Sequence, residues 1–124
     1  MTYKILVADD DLDCRVLIKE AVAGEDCEVI TAETGQEALE KATSEDFDLV
    51  VIDLHMPCID GIEALKIIHM SEPDLPIMVV TGVENEELKA EALKNGANLI
   101  IEKPFDITSL VEEIKKLLGM QDYE

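Results

Sequence analysis

Five short apolar runs punctuate the chain: Ile5 to Ala8, Val29 to Ala32, Leu49 to Ile52, Ile77 to Val80 and Leu99 to Ile101. Most are continuous rather than alternating, the pattern of strands covered on both faces. Between them lie stretches with helical period and start signals. Asp13 precedes a run from Cys14 to Ala23, Thr34-Gly35-Gln36-Glu37 opens a run to Thr43, and Asp60-Gly61-Ile62-Glu63 opens a run to Met70. The last two have the spacing of a capping box, or its Asp variant, in which a cap side chain accepts from a free helix N–H. Glu86 to Asn95 predicts a fourth helix, stopped at Asn95-Gly96. Asp106 caps a fifth, whose Ile107, Leu110, Val111, Ile114, Leu117 and Leu118 form one apolar stripe facing a core.

The pattern is βα repeated five times. Crossovers of helical length between buried strands imply an all-parallel sheet with helices on both faces, an α/β three-layer αβα sandwich. No linker or low-complexity tract interrupts residues 1–124, which are expected to form one domain, and 48% hydrophobic residues suffice for its core. The five repeats share no sequence motif, which argues against a solenoid. After the fifth helix only Gly119 to Glu124 remain, so the chain is expected to carry no output domain of its own.

Charge narrows the partners. A formal net charge of −19 repels phosphate backbones and anionic lipids, which argues against direct nucleic-acid or membrane binding and favours a basic partner or a bound cation. The N-terminal apolar stretch is too short for a signal sequence or a membrane span, so a cytoplasmic location is expected. Cys14, Cys27 and Cys58 are scattered without a C-x-x-C pair, which suits small buried hydrophobes better than disulfides or a zinc site.

In an open parallel sheet, ligands bind at the carboxyl ends of the strands. There the first run ends in Asp9-Asp10-Asp11, the third in Asp53, the fourth in Thr81-Gly82 and the fifth in Glu102-Lys103-Pro104. Crowded carboxylates either take up protons or gather a cation, and oxygen ligands without imidazole or thiolate pairs suit Mg²⁺. A carboxylate can attack phosphorus to give an acyl phosphate when a metal and a lysine neutralise the transferring oxygens, which makes Asp53 the candidate nucleophile and Lys103 the counter-charge. Each residue also has an ordinary explanation: Asp53 as a loop acid, Thr81 as a strand-end hydroxyl, Lys103 as a surface cation, and Asp9 to Asp11 as acids at a helix N-terminus. Their convergence at four strand ends of one sheet is what those explanations leave over.

The sequence closely resembles the receiver domains of two-component response regulators, including the single-domain chemotaxis type, over essentially the whole chain. The resemblance rests on Ile5-Leu6-Val7-Ala8-Asp9-Asp10-Asp11, on Asp53-Leu54-His55-Met56-Pro57 with Asp60-Gly61, on Val79-Val80-Thr81-Gly82, and on Lys103-Pro104-Phe105. It implies a flavodoxin-like sheet of order 2-1-3-4-5, which sets Asp9 and Asp10 beside Asp53. It also implies that Asp53 is the phosphoacceptor and that Asp10 ligates Mg²⁺ directly, with Asp9 helping mainly through water and the His55 backbone carbonyl completing the protein's share. Thr81 would bond a phosphoryl oxygen, Gly82 would leave room for it, Lys103 would pair with its charge, and the Lys103-Pro104 peptide would be cis. The implied donor is a sensor histidine kinase or phosphotransfer protein, and the implied reader a downstream protein. The fourth and fifth helices are the expected output face, in a monomer or a phosphorylation-linked dimer, and the protein is expected to act as a switch rather than a turnover enzyme.

Two departures stand out. Ile100 occupies the position, three before Lys103, where many relatives carry an aromatic residue that swings inward with the threonine. His55 and Val83 stand at the positions that in relatives border the path of the water that hydrolyses the acyl phosphate. His69 on the third helix has no evident partner and is expected to be packed or solvated. Among other functions, a haloacid-dehalogenase-like phosphohydrolase would need a second acid where His55 stands. A flavodoxin-like flavin site would need a neutral loop where Asp9-Asp10-Asp11 stands. An unphosphorylated interaction module would leave a fully furnished site without a purpose.

Overall fold

The computed structural model describes residues 2–24, 26–56, 61–82 and 84–120. The elements alternate as expected: β1 (Tyr3–Ala8), α1 (Leu12–Val22), β2 (Cys27–Ala32), α2 (Gly35–Ser44), β3 (Leu49–Ile52), α3 (Gly61–Ser71), β4 (Ile77–Thr81), α4 (Glu86–Lys94), β5 (Leu99–Glu102) and α5 (Ile107–Leu117). All strand pairs are parallel, in the order β2-β1-β3-β4-β5.

Alternation along the strands decides which helix each side chain meets. Leu6, Ala8, Val50, Ile52, Ile77 and Val79 share one buried cluster with Ala38 and Ala42 of α2, Leu65 and Ile68 of α3, and Ala92 of α4. Ile5, Val7, Leu49, Val51, Met78 and Val80 point the other way, toward Cys14 and Ile18 of α1 and Leu110 and Ile114 of α5. Both faces are therefore covered, which is why β3 and β4 are buried at every position. The edge strand β5 departs from that expectation: Leu99, Ile100 and Ile101 are only half-buried and Glu102 is exposed. Its run reads like a central strand, but it has a neighbour on one side only.

Helix starts follow capping chemistry with one correction. The cap of α1 is Asp11, not Asp13. Asp11 holds extended dihedrals and accepts from the Asp13 N–H at 3.0 Å, so Asp13 lies in the first turn. Any of three nearby acids could have capped, and the one at the extended-to-helical switch does. For α2, Thr34 Oγ1 accepts from the Glu37 N–H at 3.0 Å, while the Glu37 carboxylate reaches back to the Glu33 N–H at 2.7 Å. Asn85 caps α4 and Asp106 caps α5. Gly96, at φ 125°, ends α4 in the left-handed conformation that glycine tolerates. Asp60, Pro57, Cys58 and Val83 lie outside the described residues.

Cys14 and Cys27 are buried free thiols. Burial, and then Asp9 beside it, pushes the Cys14 thiol up to about 12, far from a reactive thiolate. Among the described residues no helix is long and apolar enough to cross a membrane.

Candidate functional site

The sheet ladder runs on into the loops at its carboxyl edge and fixes where the polar residues begin. Asp9 N–H donates to the Ala32 carbonyl at 3.1 Å, Asp53 N–H to the Ala8 carbonyl at 2.9 Å, and Lys103 N–H to the Thr81 carbonyl at 2.9 Å. The residues just past β1, β3 and β5 are thus tied to neighbouring strands by backbone, and their side chains leave the same edge. The Lys103-Pro104 peptide is cis, as expected.

Lys103 is the centre of the arrangement. Its Nζ donates to Asp9 Oδ2 at 2.8 Å and to Asp53 Oδ2 at 3.0 Å, joining two buried carboxylates. The remaining oxygen of each acid is also engaged. Asp9 Oδ1 accepts from the Asp11 N–H, and Asp53 Oδ1 from the His55 N–H, both at 3.0 Å. Asp10 is exposed, and one carboxylate oxygen each from Asp9, Asp10 and Asp53 lies within 4.8 Å of the others. Thr81 is fully buried at the end of β4. A Cβ at Gly82 would meet only the Lys103 Cβ, at 3.9 Å, so the space beside the threonine is open on that side. His55 itself is exposed.

Burial and partners pull these groups apart in acidity. Burial pushes Asp53 above the ordinary carboxylate range, and Asp9 adds to that push, against the His55 N–H and Lys103. Asp9 feels the same burial, but hydrogen bonding from Cys14, Lys103 and the Asp11 N–H leaves it net below that range. Burial alone would lower Lys103, yet the two acids it joins hold it above the ordinary lysine value and keep it charged.

Three carboxylates facing one ammonium leave a local charge of about −2, which a divalent cation would balance. All the donors are oxygens, which suits Mg²⁺ rather than a softer metal. A cleft of about 430 Å³, lined in part by Cys14, Leu17, Lys103 and Phe105, opens beside Lys103.

The structure brings together the side chains of Asp9, Asp10, Asp53 and Lys103 singled out in the sequence, and sets Thr81 at the end of β4, where its carbonyl accepts from the Lys103 N–H. Two residues that shape the site were not foreseen. Arg15 of α1 is buried, with a guanidinium nitrogen 2.7 Å from the Asp9 carbonyl. Its signal was its place on the inward face of α1 with Cys14 and Ile18. Gly61, noted only for its turn motif, lies against the Asp53 and Leu54 backbone, and its N–H donates to the Leu54 carbonyl at 2.9 Å.

Comparison with known proteins agrees with this geometry. The profile of the response regulator receiver domain matches residues 5–115. The chain is 32% identical over 121 residues to sporulation initiation phosphotransferase F of Bacillus subtilis (strain 168), covering 98% of each. It is 36% identical over 115 residues to the transcriptional regulatory protein ZraR of Escherichia coli (strain K12), but spans only 26% of that protein's length. The solved structure of a CheY-like receiver domain protein from Methanospirillum hungatei JF-1 superposes with a TM-score of 0.92 at 33% identity, covering 96% of this chain and 95% of that one. Fold, sheet-edge chemistry and sequence likeness converge, and the chain belongs to the receiver-domain family of two-component response regulators.

Proposed function

We propose that Asp53 is the phosphoacceptor of this receiver and that residues 1–124 work as one domain, charged by a histidine kinase or phosphotransfer protein and read by a downstream protein. The observation that carries the proposal is the Lys103 ammonium shared between Asp9 and Asp53, with Asp10 alongside. Asp9, Asp10, Asp53 and the His55 carbonyl would hold Mg²⁺, which when bound supplies positive charge to the oxygens of the transferring phosphoryl group. A carboxylate oxygen of Asp53 attacks phosphorus, an O–P bond forms, and the P–N bond to the donor imidazole breaks with its electron pair leaving on nitrogen. Lys103 Nζ, already 3.0 Å from Asp53, follows the charge onto the phosphoryl oxygens. Thr81 lies at the neighbouring strand end, where its hydroxyl would bond one of those oxygens. The end-to-end match to a protein named as a phosphotransferase supports a role as a relay intermediate.

The test is intact mass after incubation with acetyl phosphate, with and without Mg²⁺, for the wild type and Asp53→Asn. A Mg²⁺-dependent gain of one phosphoryl group that the variant lacks is the expected result. No gain, together with no Mg²⁺-dependent binding of beryllofluoride, would leave an unphosphorylated interaction module.

A further inference from the structure

Among the described residues, four polar or charged side chains are buried: Asp9, Asp53, Thr81 and Arg15. Three belong to the proposed phosphoryl chemistry. Arg15 takes no part in it, yet a buried guanidinium is costly unless its arms are hydrogen-bonded. Nη1 donates to the Asp9 carbonyl at 2.7 Å and Nη2 to Glu33 Oε1 at 3.1 Å. The Glu33 side chain is 70% exposed, so that ion pair is screened and contributes little by itself. The buried arm, on Asp9, explains the placement.

We infer that Arg15 is a positioning residue for metal binding, which sets the peptide between Asp9 and Asp10 so that the Asp10 carboxylate turns toward Asp53. With that arm made, Asp9 is held at every polar atom: N–H on the Ala32 carbonyl, Oδ1 under the Asp11 N–H, Oδ2 on Lys103, and its carbonyl on Arg15. A peptide is planar, so fixing the Asp9 carbonyl fixes the Asp10 N–H and the direction in which the Asp10 Cα leaves it. Among the described residues the Asp10 carboxylate has no hydrogen-bond partner of its own, so backbone orientation is what brings it within 4.8 Å of the other two acids. The far arm of Arg15 meets Glu33 at the surface, whose N–H in turn donates to Glu37.

The inference rests on the Mg²⁺ reading of the site, and electrostatics alone predicts the opposite sign. Arg15 is a positive charge beside a cation site, so deleting that charge should tighten Mg²⁺ binding if charge is all it contributes. If it positions Asp10, deleting it should loosen binding.

The experiment is calorimetric titration of Mg²⁺ into wild type, Arg15→Met and Arg15→Lys, with folding checked by circular dichroism and thermal melts. Removing a group that orients a metal ligand typically weakens affinity by roughly 10–100-fold, and Arg15→Met should fall in that range. Arg15→Lys, which keeps the charge and one donor, should lie between it and the wild type. Wild-type binding with Arg15→Met equal or tighter overturns the inference and leaves the proposed function standing. Absence of Mg²⁺ binding in the wild type overturns both. Should Arg15→Met fail to fold, Arg15→Lys decides, with weaker binding in support and equality against.

Discussion

Gly61→Ala is the sharpest single perturbation of the site's scaffold, because it adds one methyl group at the place where α3 meets the backbone of Asp53, the proposed phosphoacceptor. A Cβ built at Gly61 falls 2.2 Å from the Asp53 carbonyl oxygen and 2.4 Å from the Leu54 Cα. Real Cβ atoms essentially never approach closer than 3.0 Å, so the two segments must part by at least 3.0 − 2.2 = 0.8 Å. The obstacle is backbone, not the end of a flexible side chain, so no rotamer change relieves it. Parting would also stretch the 2.9 Å bond from the Gly61 N–H to the Leu54 carbonyl. Overpacking of this kind costs about 1–3 kcal/mol, which for a domain of this size lowers the melting temperature by about 3–15 °C. Because the displaced atoms belong to Asp53 and Leu54, the variant should also lose phosphorylation in proportion to the shift. Reacting groups misplaced by about 1 Å lose roughly 10²-fold in rate. Thermal melts and the initial rate with acetyl phosphate, measured below the melting transition, check both. A melting temperature within 1 °C of wild type, or full phosphorylation despite destabilisation, would show that the Gly61 contact does not constrain Asp53.

Lys103→Met should bind Mg²⁺ at least as tightly as wild type, because it removes a competing ammonium, yet accept phosphoryl about 10²-fold more slowly. Calorimetry and phosphorylation rates test the split, and parallel losses in both would refute it. Glu37 sits below its ordinary value of 4.5, mainly through the hydrogen bond from the Glu33 N–H. Its stabilisation is therefore fully present above that value and lost as pH falls through the lower folded-state value. The melting difference between wild type and Glu37→Ala should accordingly be seen at neutral pH and close on acidification, and a constant gap would contradict this. Hydrogen exchange should be fastest in α4 among the five helices, and protection there equal to that of α3 would argue against the loose docking described below.

Much of the fold was legible because β1, β3 and β4 are covered on both faces, and a strand in that setting tolerates little but apolar residues. The helices between them could then only be crossovers. Edge position was not legible: Leu99 to Ile101 reads like Leu49 to Ile52, and exposure of β5 depends on what lies beside it, which its own composition does not record. The site was legible where a polar residue breaks an apolar run, as Asp9, Asp53 and Thr81 do. Arg15 was harder, because α1 carries Asp13, Arg15, Lys19 and Glu20 and all four look like a solvated face. Only the inward spacing of Cys14, Arg15 and Ile18 separates it from the rest. The start of α1 was misplaced for a related reason, since consecutive acids have equal capping chemistry and backbone dihedrals decide among them.

Ile100 offers no aromatic side chain to swing inward, so in the proposed switch a change at Thr81 would reach the outer surface by moving a larger element. The helices are not equally anchored. Gly61, Ile62, Ala64, Leu65 and Ile68 of α3 are buried, whereas α4 buries Ala92 alone and leaves Leu93 about half exposed. What α4 lacks in apolar contact it replaces with ion pairs, Lys66 with Glu91 toward α3 and Lys89 with Glu102 toward β5. Pairs with an exposed partner each contribute only about 0–1 kcal/mol and weaken with salt, so docking of α4 is the least costly tertiary contact to rearrange. The chain passes from Thr81 into α4 within a few residues, and Glu102 immediately precedes Lys103. On the proposed function, a phosphoryl group on Asp53 that repositions Lys103 and Thr81 would act on both attachments of α4, the loop that enters it and the acid that pairs with Lys89. In that switch, α4 and its Lys89–Glu102 pair would be the place where occupancy of Asp53 is converted into a surface that a partner distinguishes.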